Sequence, residues 1–245
     1  MNNPMWRAAI VLAGTFCIVN TARAQGNYSV KSPDGRIEVR IRTADRIKYD
    51  VVLNGKALLQ DSDLSINIDH TTLGVNPKVT AHKERSANQV LEPVVRQKFA
   101  KIRENYNELR LEMEGGYAVV FRAYNEGTAY RLETSLSQAE VKVYGEDANF
   151  NFAGSHTVYY PLEESLFSHN ERKWIPQAMN QIAPTAIASL PAIVDLDGVK
   201  VAIAWAGLRR STSMVSMSRS SPTTIIPVKR AASCFAGCQP RLWFE

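Results

Sequence analysis

The stretch from Tyr117 to Thr134, YAVVFRAYNEGTAYRLET, constrains the fold more than any other part of the chain. Tyr117 to Tyr124 is dense in β-branched and aromatic residues and places apolar side chains on both period-2 faces, the pattern of a strand covered from both sides. Asn125-Glu126-Gly127 then supplies a short connection in which Gly127 can take the positive φ of a three-residue bulged hairpin, and Thr128 to Thr134 returns as the partner strand. The stretch reads as an interior hairpin of a β-sandwich.

The segments around it carry the same period. Tyr28 to Lys31, the turn Ser32-Pro33-Asp34-Gly35 and Arg36 to Thr43 read as strand, turn and strand, with RIEVRIR alternating charged and apolar residues for a sheet with one wet face. Ile47 to Leu53 and Lys56 to Leu59 flank Asn54-Gly55, a strong hairpin signal, and Leu64, Ile66 and Ile68 continue the alternation. Further strands are expected at Val79 to Lys83, Asn107 to Glu112, Glu140 to Tyr144 and Thr157 to Tyr160, and two more around Asp197-Gly198 within Leu190 to Ala204. A single helical turn fits Gln97 to Arg103, and no segment of ordinary helix length has a 3.6-residue period. The fold class is all-β, an antiparallel sandwich.

At the N-terminus, Arg7 precedes the apolar run Ala8 to Val19, and Ala22-Arg23-Ala24 forms a small-x-small site before Gln25. Residues 1–24 therefore read as an export signal cleaved after Ala24, and the mature protein is expected to be periplasmic or secreted. A membrane anchor is the alternative, opposed by a run shorter than the ~20 residues that span a bilayer. The net charge of +5 lies entirely in the last forty residues, where six basic residues face Glu245 alone; residues 1–205 sum to zero. A neutral body gives no support to nucleic-acid binding.

Four pieces together, SPDGRIEVRI (Ser32 to Ile41), VVLNGKALLQDSDLSINI (Val51 to Ile68), FRAYNEGTAYRLE (Phe121 to Glu133) and ESLFSHNERKWIP (Glu164 to Pro176), resemble in order and spacing the N-terminal domain of glycoside hydrolase family 97, bacterial α-glucosidases and α-galactosidases. The resemblance covers about Tyr28 to Ala204. It implies a β-super-sandwich like that of galactose mutarotase, packed in the whole enzyme against a catalytic (β/α)₈ barrel that carries the two carboxylates a glycosidase needs. That barrel is not in this sequence, so no catalytic residue is assigned. Glu163-Glu164 and Glu171 read as solvated surface carboxylates.

The loop Phe167 to Pro176 gathers Ser168, His169, Asn170, Glu171, Arg172, Lys173 and Trp174. Carboxylate, amide and guanidinium groups bond sugar hydroxyls while an aromatic ring takes the apolar sugar face. His169, Asn170, Glu171, Arg172 and Trp174 are thus candidate contacts for an oligosaccharide or α-glycoside. The competing reading is a Glu171–Arg172 surface ion pair with Trp174 packed at a domain interface. His169 has no second ligand at zinc spacing. The resemblance also implies a calcium-ligand Glu soon after Ala204, where this sequence has Trp205, which offers no hard oxygen. No cofactor is therefore expected in this chain.

From Trp205 the chain becomes Ser- and Arg-rich without a sustained period, as though read in another frame, and residues 205–245 are expected to be an aberrant, disordered tail after the domain at 25–204. Cys234 and Cys238 lack the further ligands of a closed metal site. Three functions follow: the inactive N-terminal domain of a family 97 glycosidase, a stand-alone sugar-binding module, or a structural domain supporting a separately encoded barrel.

Overall fold

The computed structural model of the protein describes residues 26–94, 99–137, 141–165, 167, 171–196 and 198–206, together with the backbone of 214–217, 224–229 and 239–244. The expected export signal, residues 1–24, lies outside the described residues, as do Cys234 and Cys238. The strands, in chain order, are β1 (Gly26–Lys31), β2 (Ile37–Thr43), β3 (Ile47–Leu53), β4 (Lys56–Ile68), β5 (Thr71–Leu73), β6 (Val79–Leu91), β7 (Ile102–Met113), β8 (Tyr117–Tyr124) and β9 (Gly127–Thr134). They continue with β10 (Val143–Phe152), β11 (Thr157–Glu163), β12 (Trp174–Ala178), β13 (Ala186–Ser189), β14 (Ala192–Asp195), β15 (Lys200–Ala206), β16 (Met214–Met217), β17 (Thr224–Lys229) and β18 (Gln239–Phe244). Among the described residues the one helical element is a single 3₁₀ turn at Met179–Gln181.

All pairings are antiparallel and fall into two sheets. One has seven strands in the order β1-β2-β3-β4-β10-β17, with β5 beside β4. The other has eleven, ordered β16-β13-β11-β14-β15-β18-β9-β8-β7-β6, with β12 beside β11. The all-β sandwich expected from the alternation is the fold observed. Three segments of the stretch expected to lack a core pattern, β16, β17 and β18, are strands of these sheets, and β15 runs through Trp205 without a break. Thr224–Lys229 holds two isoleucines and a valine, and Gln239–Phe244 ends Leu-Trp-Phe, residue types that fit a pleated surface.

β8 is buried along its whole length except at Arg122. Its two faces are covered by different means. Tyr117, Val119, Phe121 and Ala123 enter the main core between the sheets, where Phe121 and Tyr130 of the large sheet each lie 6.0 Å from Tyr49 of the small one, ring centroid to centroid, and 6.2 Å from each other. On the outer face, Val120 lies between Arg110 and Arg131 as cross-strand neighbours, and Ala118 between Glu112 and Glu133. Arg110 bonds Glu112 at 2.6 Å and also pairs with Glu133, Arg131 pairs with Glu133, and Arg122 bonds Glu108 at 2.6 Å. These paired Arg and Glu side chains flank the apolar positions, and the methylene stems of such side chains are suited to covering apolar surface while their charged ends stay in water.

The turns follow local chemistry. Asn54 and Gly55 both have positive φ, 50° and 82°, as the Asn-Gly hairpin signal requires. Gly127 does not take the positive φ expected of it: Ala123 pairs with Thr128, the connection is Asn125-Glu126 alone, and Gly127 is the buried first residue of β9. Asn125 is instead tied to the Ser32–Gly35 turn. Its side-chain oxygen accepts from the Asp34 N–H at 3.0 Å and its carbonyl accepts from Arg36 at 3.2 Å. The helical turn expected at Gln97 to Arg103 is corrected for its described part, residues 99–103, because Ile102 and Arg103 begin β7 and the alternating register with β6 outweighs a marginal helical pattern, while residues 97–98 lie outside the described residues.

The aromatic contact between the sheets predicts that Phe121→Ala, which empties a position only 2% exposed, lowers unfolding free energy by about 3–5 kcal/mol in urea titration. A second prediction concerns acid. The hydrogen bond from Arg110 holds Glu112 below its ordinary 4.5. Burial alone would raise Asp50, but hydrogen bonds from Arg42 and from the Asp61 N–H outweigh it and hold that carboxyl below 3.8. Both groups bind protons more weakly folded than unfolded, so their contribution is complete above the unfolded values and is lost as pH falls through the lower folded ones. The melting temperature should hold level above about pH 5 and fall steadily below about pH 4, and Asp50→Asn should flatten that fall.

Candidate functional site

The loop singled out in the sequence leaves β11 and returns as β12, paired to the strand it left: Pro161 faces Trp174 and Thr157 faces Ala178. At the end of β11 the partner changes, with Leu162 and Glu163 opposite Ala188 and Ile187 of β13. The change of partner shifts the phase of the strand. Val158 and Tyr160 point inward, Leu162 is 43% exposed, and Glu163 is buried.

Glu163 is therefore not the solvated carboxylate expected from the sequence. Its side chain is fully buried; Ser189 Oγ donates to it at 2.9 Å and Arg172 Nε at 3.4 Å. A carboxylate in this position is retained because hydroxyl and guanidinium replace its water. Arg172 also reaches Glu164 at 3.4 Å, on the solvent side. The guanidinium is thus held between one buried and one exposed carboxylate, with its own side chain 36% exposed. Beside it on β12, Trp174 is 41% exposed, and Glu171 and Lys173 are exposed in the approach to the strand. Further along β12, Gln177 accepts from Tyr160 and donates to the Gln181 carbonyl at 3.0 Å.

Of the five candidate contacts, Arg172 and Trp174 share this edge with Glu171 just before them, while His169 and Asn170 lie outside the described residues, as does Ser168. Glu163 and Ser189 are the residues that sequence reasoning missed. The signal available was Pro161, which lacks an N–H and marks where an inward-outward alternation can slip. Among the described residues no group of three or more His, Cys, Asp or Glu could hold a metal ion.

A model of the family described as Glycosyl-hydrolase 97 N-terminal matches residues 30–229. The chain belongs to this family. The match runs past Ala204, so the family pattern does not stop where the sequence reading placed its end. A retaining α-galactosidase from Bacteroides thetaiotaomicron is 28% identical over 210 residues, which cover 81% of this chain and 31% of that enzyme. Among solved structures, a family 97 enzyme from Pseudoalteromonas sp. strain K8 in complex with acarbose superposes with a TM-score of 0.70 at 19% identity, over 89% of this chain and 35% of that one. A β-arabinopyranosidase superposes with a TM-score of 0.75 at 19% identity, over 89% and 40%. The chain thus spans about a third of the length of the relatives it matches, and the matched third is the N-terminal β-sandwich of a family 97 glycoside hydrolase.

The buried carboxylate of Glu163 holds Arg172 through this contact. Arg172→Ala should remove one of the donors to this buried carboxylate and cost about 1–3 kcal/mol in chemical denaturation. Glu163→Gln, which keeps the shape and an acceptor oxygen, should cost less.

Proposed function

We propose that this chain is the carbohydrate-contacting, non-catalytic N-terminal domain of an α-glycoside hydrolase, acting in the periplasm or outside the cell. The observation that carries the reading is the edge at β11 and β12. There a buried carboxylate holds Arg172, two residues before the half-exposed Trp174, so that a tethered donor and a partly exposed ring lie close along the chain. Sugars are held by that pairing: planar donors bond adjacent hydroxyls, and the C–H face of the ring lies on the indole. The relatives support the ligand class. One family 97 structure holds acarbose and another panose, and the Bacteroides relative is a retaining α-galactosidase.

Catalysis is assigned elsewhere. Retention requires two carboxyl groups ~5 Å apart across the glycosidic bond and inversion ~6.5–9.5 Å. Glu163 is buried and bonded to Ser189 and Arg172, so it cannot reach a glycosidic oxygen, and Glu164 without it has no second carboxylate in a defined place. The packing partner this reading calls for is the remainder of a family 97 enzyme, a catalytic barrel, whether joined to this domain or supplied by a separate chain.

The test is calorimetric titration of the purified chain with maltooligosaccharides and α-galactosides, with hydrolysis of aryl α-glucosides and α-galactosides measured alongside. Binding should be weak but saturable, should fall at least tenfold in both Trp174→Ala and Arg172→Lys, and should be accompanied by no turnover. The arginine change is included because an ammonium loses the planar donor pair while keeping the charge. Heat that is absent for every sugar removes the carbohydrate reading, and turnover in independently prepared protein removes the non-catalytic one.

A further inference from the structure

The large sheet ends in an arm. β6 is its edge strand and pairs with β7 over twelve rungs, from Val79 opposite Met113 to Leu91 opposite Ile102. β8 supports β7 only as far as Tyr106, which faces Tyr124. Beyond that rung, Asn88–Leu91 and Ile102–Asn105 form a two-stranded ribbon with no third strand beside it among the described residues. Its end is apolar and in water: Val90 is 58% exposed, Leu91 40%, Ile102 43%, and Val94 just past the strand 101%. A two-stranded ribbon is marginal in water and becomes stable when further strands join it, and an unpaired edge is a template for such a strand.

We propose that the partner is a second copy of this chain, joined edge to edge through β6 so that two arms make a four-stranded ribbon in the order β7-β6-β6-β7. The charges on β6 choose where the two copies can meet. Two identical edges pair antiparallel about a two-fold axis, and the same alternate backbone groups face outward on both, so each residue lies opposite one of the same parity in the other copy. Axes at Lys83, Glu84 or Arg85 set like charges directly opposite each other, which opposes pairing near the base of the strand. Ser86–Leu91 is an uncharged run without proline. An axis at Gln89 pairs Ala87–Leu91 of this run with itself and places Leu91 opposite the partner's Ala87, and Val90 opposite the partner's Asn88. Leu91 shares its rung with Ile102, and Ala87 shares its rung with Tyr106. The axis at Gln89 therefore creates two apolar rows, Ile102, Leu91 and the partner's Ala87 and Tyr106, one on each side of the central glutamines. An axis at Asn88 would set Leu91 against Arg85, and one at Val90 would set it against Gln89.

Sedimentation velocity of the whole chain over a hundredfold range of concentration tests this. The chain should pass from monomer to dimer, and Gln89→Lys with Leu91→Lys, which sets lysine against lysine on the axis, should weaken association at least tenfold while far-ultraviolet dichroism and melting temperature stay unchanged. Gln89→Cys should form a covalent dimer under mild oxidation, and Thr80→Cys, far from the axis, should form none above the parent chain's own background. A chain that stays monomeric throughout, or a dimer that survives the double lysine change, overturns the proposal. If the lysine variant loses its fold, failure of Gln89→Cys to cross-link above the Thr80→Cys level overturns it by itself.

Discussion

The contact of Tyr49 with Phe121 and Tyr130 is the interaction on which the sandwich depends. Tyr49 lies on β3 and the other two on β8 and β9, so three rings from the middle strands of both sheets close the space between them. Tyr49 brings a hydroxyl into this dry region, and burial pushes its phenol well above the usual range. The hydroxyl donates to the Asn149 carbonyl on β10 at 3.0 Å, which ties the aromatic cluster to a strand two places away in its own sheet. Burial of a polar atom is tolerable because that atom is bonded. Around this cluster the remaining core is aliphatic, with Ile37, Ile41, Ile47, Leu59, Leu64, Leu109 and Leu111 all essentially inaccessible.

The architecture was legible wherever a strand obeyed one simple alternation. β2 reads inward at Ile37, Val39 and Ile41 and outward at Glu38 and Arg40, and the structure follows residue for residue. The double-sided burial of β8 was legible too, although its cause was not. A strand of Val and Phe says that both faces are dry, but the sequence does not say that arginines on β7 and β9 supply one cover, because that depends on which strands become neighbours. The length of β6 was hidden for a related reason. Lys83 to Gln89 is polar on both faces, and a strand exposed on both faces has no period to detect.

At the candidate site the same limit appears on a smaller scale. Arg172 and Trp174 stand out by chemistry alone, and the structure sets both beside the end of β11. Glu163 was misjudged because alternation from Val158 and Tyr160 assigns it to the outside, and only the switch from β12 to β13 as partner turns it in. A local pattern carries the direction of a side chain only while the partner strand stays the same. The residue that fixes the loop was the one whose direction depended on tertiary pairing.

Strand directions also separate the two surfaces described here. The β8–β9 connection at Asn125 and Glu126, the start of β15 at Lys200, the end of β14 at Asp195 and the start of β11 at Thr157 all lie at one end of the large sheet, since each is brought to the next by the pairings of Gly127 with Trp243, Val201 with Phe244, Asp195 with Lys200 and Thr157 with Asp195. The β6–β7 arm extends past that same end, beyond the rung of Tyr106 and Tyr124. Glu163, Arg172 and Trp174 sit at the opposite end of β11, several strands away from β6 in the sheet order. Two copies joined through their arms would therefore leave the Arg172 loops uncovered. The proposed pairing through β6 and the proposed carbohydrate contact thus draw on different ends of the sheet, and a change aimed at one has no direct path through shared residues to the other.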